Sequence, residues 1–128
     1  MADNSVITIY RREKLCQITS GGISSFAPIN KIAFGDGGVD GVGDPIAPLA
    51  TATALGHELA RYDIDAVSYP IGTTARYTVT IPETDLPGAE ISEAALVDSS
   101  GALCAIKTMY VKRKDADVKF TFTFDDEF

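Results

Sequence analysis

Between Ala75 and Pro82 the apolar residues Tyr77, Val79 and Ile81 alternate with Thr78 and Thr80. That two-residue period marks a strand with one buried face. The same period returns near the C-terminus, with Val118, Phe120, Phe122 and Phe124 on one side and Lys119, Thr121 and Thr123 on the other. Two further runs, "EISEAALV" and "LCAIKTMYV", flank Asp98–Gly101, whose "DSSG" predicts a hairpin turn. Pro28–Phe34 predicts a short strand with Ile29, Lys31 and Ala33 on one side and Asn30, Ile32 and Phe34 on the other, and "DIDAVSY" leads into the Ala75 strand. Only Thr51–Tyr62 predicts a helix, because Leu55, Leu59 and Tyr62 recur at the spacing of one helical face. Val6–Thr19 is the first ordered piece, and its "RREKLCQI" portion fits helix or strand equally. "SGGISS" then breaks the pattern.

These elements predict a β-dominated α+β fold over residues 1–128 as a single domain. It has five to seven strands in an antiparallel sheet or small sandwich, plus one or two short helices. The strands follow one another too closely for parallel crossovers, which need a dozen or more residues each. The Phe120–Phe122–Phe124 face reads as core, with an intersubunit surface as the other use for it.

Composition narrows the function classes. With 45% hydrophobic and 23% charged residues the chain is ordinary for a globular domain. No window approaches the ~18 apolar residues of a membrane span. The first residues place their positive charges after the apolar run, the reverse of a secretory leader, so the chain is expected to stay in the cytoplasm where it is made. A net charge of −7 argues against nucleic acid and anionic lipid as partners. The basic stretch Tyr110–Lys119 is interrupted by Asp115 and Asp117 and reads as a solvated turn. Cys16 and Cys104 match no metal spacing and are expected reduced and partly buried.

The densest cluster of chemistry-bearing letters is "FGDGGVDGVGD", Phe34–Asp44. A phosphate-binding Walker loop needs Lys and then Ser or Thr after its last glycine, but Gly43 is followed by Asp44 and Pro45. A dinucleotide fingerprint needs glycine at its sixth position, where Asp40 stands. Calcium is the better fit. Asp36, Asp40 and Asp44 supply carboxylates and Gly41 occupies the turn position of an EF-hand loop, although Gly38 and Ala47 replace two ligands. These three aspartates are the weak metal candidates, and a wet structural turn is the competing reading. "HELAR" starts like a zinc-protease motif, but Arg61 replaces its second histidine and His57 is the sole histidine. His57 is expected on the solvent face of the predicted helix. The closing "DDEF" reads as a fraying acidic end. No catalytic constellation assembles, so no catalytic residue, cofactor or firm metal site is assigned, and an enzyme is not expected.

Taken in order, "INKIAFGDGGVDGVGDPIAP", "ALGHELARYDID", "TARYTVTIPE" and "ISEAALVDSSGALCAIKT" resemble the N-terminal module of phage tail-collar fibre proteins. They are also similar to short phage tail proteins of Gram-positive prophages. The resemblance rests on Gly35, Asp36 and Gly37, on Leu55, Glu58 and Arg61, and on Ile91, Glu93, Leu96, Asp98, Gly101, Leu103 and Ala105. It spans about Ile18 to Thr108. In long fibres this module carries a shaft and a receptor-binding tip, whereas this sequence ends at Phe128.

The resemblance implies a non-enzymatic structural component of a tail or baseplate, made in the host cytoplasm and then part of the virion tail. It implies assembly or fibre attachment, other tail or baseplate proteins as partners, and a homo-oligomer, with trimer or hexamer favoured. On this reading Glu58 and Arg61, one helical turn apart, buttress the glycine loop. The alternatives are a small calcium- or glycan-binding β-domain using the Asp36–Asp44 loop, and an enzyme accessory or inhibitor domain.

Overall fold

A computed structural model describes residues 4–128. Its elements run β1 (Ser5–Ile7), α1 (Ile9–Thr19), β2 (Ile29–Gly35), β3 (Glu58–Asp63), β4 (Ala66–Ile71), β5 (Thr74–Ile81), β6 (Ala89–Asp98), β7 (Leu103–Lys114) and β8 (Phe120–Glu127). The strands form two antiparallel sheets, β1-β7-β6-β2-β3 and β4-β5-β8. The β-dominated class read from the sequence is therefore the observed one, with two sheets, one helix and one strand more than the upper expectation.

Alternation places the core. Val79, Ile81, Phe122 and Phe124 of the small sheet face Ile32, Phe34, Ile91 and Leu96 of the large one. Phe34 and Phe122 meet edge to face at 5.4 Å, a favoured aromatic geometry. β5 and β8 stay in register for their whole length, from Thr74↔Glu127 to Ile81↔Phe120. The phenylalanine face is thus intramolecular core at Phe122 and Phe124, with Phe120 partly buried.

The opposite face of the large sheet carries a second apolar layer of Ala33, Ala95, Val97, Leu103 and Ile106. The segment between Pro45 and His57 straps across it and contributes Leu55. The strap is tied down by Thr108 Oγ1, which donates to the Ile46 carbonyl at 2.7 Å, and by Ile9 N–H, which donates to that of Ala50 at 2.7 Å.

Four expectations are corrected. Thr51–Tyr62 is not a helix: its first half is the strap and its second half is β3, an edge strand paired with β2. Leu55 consequently packs on the outer face, while Leu59 and Tyr62 pack against the inter-sheet core. Ile29 does not share a side with Lys31 and Ala33. The pairs Ile29↔Asp98 and Lys31↔Val97 make Asn30 an extra residue, which turns Ile29 toward the inter-sheet core. The acidic end does not fray either, since Asp125 and Asp126 lie within β8 and Asp126 is fully buried. Finally, the basic stretch is a solvated turn only in part. β7 runs on to Lys114, which is buried and donates from Nζ to the carbonyls of Glu83 and Asp115, both at 3.0 Å.

The ambiguous N-terminal piece resolves as β1 followed by a helix. Thr8 caps α1 by accepting from Arg11 N–H, and its own hydroxyl donates to the Leu103 carbonyl at 2.8 Å. Arg11 is the one buried residue of the helix. Among the described residues no helix is long and apolar enough to cross a membrane.

Candidate functional site

Apart from Asp40 and Asp44, the site residues singled out from the sequence gather into two clusters on the large sheet. The first is built around Glu93, which lies on β6 opposite Gly35 of β2 and is 2% exposed. A Cβ at Gly35 would collide with the Glu93 side chain and the His57 carbonyl, so only glycine lets the carboxylate pass over β2. Beyond β2 the carboxylate accepts three backbone N–H groups. Gly37 and His57 donate to Oε2 and Gly56 donates to Oε1, each at 2.8 Å. Gly37 and Gly56 touch backbone to backbone, with no room for a side chain on either. Beside them Gly38 N–H donates to Ser92 Oγ at 2.9 Å.

A buried carboxylate is costly unless it is fully hydrogen-bonded, and charge-assisted bonds from N–H groups are the strong kind. Glu93 therefore pins the loop after β2 to the turn before β3. At the rim, His57 Nδ1 and Asp36 Oδ1 form a partly exposed pair at 2.5 Å. His57 is exposed as expected, but on the turn entering β3 and not on a helix.

Asp40 closes its own loop. Its Oδ1 accepts from Val42 N–H and Asp44 N–H, both at 3.0 Å, and its backbone N–H donates to the Asp44 carbonyl at 2.9 Å. Of the three metal candidates, Asp36 is thus paired with His57 and Asp40 is engaged in a turn, while Asp44 sits exposed. Among the described residues no group of three or more His, Cys, Asp or Glu side chains is placed to hold a metal ion.

The second cluster joins Glu58, Arg61, Asp98 and Gly101. Gly35 pairs with Glu58 and Phe34 with Ala60, so Leu59 is an extra residue that puts Glu58 and Arg61 on the same side of a strand. Arg61 Nε donates to Glu58 Oε2 at 2.8 Å, and its Nη1 donates to the Gly101 carbonyl at 2.9 Å. The expected Glu58–Arg61 buttress exists, but it rests on a bulge and supports the β6–β7 turn, not the glycine loop. Asp98 organises that turn from within. Its Oδ1 accepts from Ser100 N–H at 2.9 Å and Ala102 N–H at 3.1 Å, and its Oδ2 accepts from Tyr10 Oη–H at 2.7 Å. Gly101 supplies the positive φ of +91° that closes it. Burial alone would raise the Asp98 pKa, but the hydrogen bonds from Ser100, Tyr10 and Ala102 outweigh it and hold the carboxyl below its usual value.

Two cavities are formed, the first of them bordering the Glu93 cluster. One of about 190 Å³ lies under the strap, lined by Gly37, Leu49, Leu55, Glu93, Ile106 and Thr108 among others. The other, about 310 Å³, lies between α1 and the small sheet and is lined by Arg11, Phe26, Ile29, Tyr69, Tyr77 and Cys104 among others. At its edge Arg11 forms a buried bidentate pair with Asp126, Nη1–Oδ1 at 2.8 Å and Nη2–Oδ2 at 2.6 Å. Burial opposes the Arg11 charge, but Asp126 more than offsets it and the pKa is raised. The Phe128 ring stacks 5.1 Å from the same guanidinium. Sequence reasoning missed this pair because the partners stand 115 positions apart and each reads as a surface charge.

Cys104 is buried and its thiol pKa is pushed up to about 12, chiefly by burial, with the Asp98 charge adding to it. Cys16 is exposed, contrary to the expectation of partial burial.

Comparison with known protein families, with curated proteins and with solved structures finds no match for this chain.

Proposed function

We propose that this protein is a non-enzymatic structural component of a phage or prophage-type tail or baseplate, serving assembly or fibre attachment. In this role it works as a homo-oligomer, trimer or hexamer, contacting other tail or baseplate proteins, and it ends in the virion tail after assembly in the host cytoplasm. One observation supports the reading most directly. Of the residues that carry the resemblance to tail-collar proteins, Gly35, Gly37 and Glu93 form one backbone-pinning cluster, and Glu58, Arg61, Asp98 and Gly101 form the other. Their polar groups are occupied in holding turns, which is what a scaffold signature requires and a reactive site does not.

The test is the solution mass by sedimentation equilibrium, first with calcium and then with chelator. A defined trimer or hexamer in both conditions is the expected result. A strict monomer whose shape or stability changes with calcium would replace this reading with the calcium-binding one. Co-purification of the tagged chain with neighbouring tail proteins, and not with an enzyme, is expected to distinguish it from an inhibitor or accessory domain.

A further inference from the structure

Charge is unevenly spread along the chain. Residues 107–119 hold five of the eleven cations and two carboxylates, whereas the other residues hold six cations and sixteen carboxylates. Within this basic segment Lys112 and Lys119 are exposed on the end of β7 and the turn after it, and Arg113 is exposed and paired with Asp115 at 3.0 Å. Tyr110 at 64% and Val118 at 52% exposure are interleaved with them, and Val111 is exposed too. Tyr110, Val111 and Val118 therefore supply apolar surface among the exposed cations. The acidic loop shows the complementary arrangement. Asp40 and Asp44 are exposed alongside Val42 at 83%, Ile46 at 48% and Leu49 at 70% exposure, and Leu49 forms a wall of the 190 Å³ apolar cavity.

We propose that the basic end of β7 in one copy docks on the acidic, apolar loop Asp40–Leu49 of a second copy of this chain. Opposite charges set the orientation and speed the encounter, while apolar residues on both patches lose water on contact. The two patches differ, and Ile46 of the loop is bonded to Thr108 of β7 in the same copy, so the assembly closes either as a two-fold pair in which the contact forms twice or as a ring of head-to-tail contacts, according to the rotation per copy. This rests on the oligomeric reading above and supplies its interface.

The test is sedimentation velocity of the full chain at about 0.05 M and about 0.5 M salt, a range over which exposed charges become strongly screened. Wild type is expected to associate, with the dissociation constant rising ~10-fold or more at high salt. Lys112→Glu with Arg113→Glu is expected to weaken association ~10-fold or more, and Asp44→Lys to weaken it also. Combining all three substitutions in one chain is expected to restore part of the loss, because the swapped charges again face each other. Leu49→Ser is expected to weaken association at both salt concentrations. All these positions are exposed, and circular dichroism checks that each variant folds. An oligomer whose mass ignores salt and all four variants would overturn this interface and leave the oligomeric reading standing. A wild type that stays monomeric at every concentration would overturn both.

Discussion

Replacing Glu93 tests the central claim about how the glycine loop is held. Its carboxylate accepts three part-buried N–H groups at 2.8 Å, from Gly37, Gly56 and His57. Leaving a buried donor without an acceptor costs about 1–3 kcal/mol. In Glu93→Gln the amide oxygen can keep the Gly37 and His57 bonds, but the new NH₂ group faces the Gly56 N–H. One donor is orphaned, for a loss of about 1–3 kcal/mol. In Glu93→Ala all three lose their acceptor. Water reaching them through the adjoining cavity would recover part of the cost, so a loss of about 3–5 kcal/mol is expected. Against a total stability of about 5–15 kcal/mol for a domain, that is a large fraction. Urea unfolding gives both values if the slope with denaturant is unchanged. Hydrogen exchange supplies the local readout, since the Gly37, Gly56 and His57 amides should lose protection before the β6–β7 amides do. The reasoning fails if Glu93→Gln matches wild type within ~0.5 kcal/mol, or if Glu93→Ala is no worse than Glu93→Gln.

Other outcomes follow from the remaining contacts. Arg61→Ala loses an exposed ion pair and the bond to Gly101, so it should lower stability by about 1 kcal/mol and lower the melting temperature; an unchanged melt would remove the buttress. Arg11→Ala strands the buried Asp126 charge and should cost about 3–5 kcal/mol in urea unfolding, far more than Arg12→Ala on the exposed side of the same helix. Asp98 has a folded pKa below its unfolded value, so its contribution is complete above the unfolded pKa of about 3.9 and is lost as pH falls through the folded one. An Asp98→Asn variant should show a shallower loss of stability across that acid window. Under native conditions a thiol reagent should modify Cys16 and spare Cys104, with the second thiol reacting only on unfolding.

The sequence was most legible where structure is local. The alternation at Tyr77, Val79 and Ile81 and at Phe122 and Phe124 depends only on the period of a strand, and the Asp98–Gly101 turn depends on four adjacent residues. The Thr51–Tyr62 helix failed for a non-local reason. Leu55, Leu59 and Tyr62 have helical spacing, but the bulge at Leu59 brings Leu59 and Tyr62 to one side of a strand, Leu55 lies in the strap on the other face of the sheet, and pairing with β2 decides. Periodicity could not reveal α1 because its buried residue is an arginine, although Thr8 and the Gly21–Gly22 break were available as start and stop signals. Of the site residues, Gly35, Gly37 and Glu93 came through as a pattern. That Gly56, His57 and Ser92 complete the cluster could not be seen, since two of them contribute backbone N–H groups, which are the same in every non-proline residue.

The Arg11–Asp126 pair has a consequence for biosynthesis. During translation β1 has no partner until β7 emerges, and α1 carries an uncompensated guanidinium until residue 126 does. α1 therefore cannot dock stably on a chain that still lacks β8, and closure of the two sheets waits for that strand. A nascent chain stalled before β8 should expose the Ile32, Phe34, Ile91 and Leu96 face of the large sheet to chaperones, because Phe122 and Phe124 are not yet there to cover it.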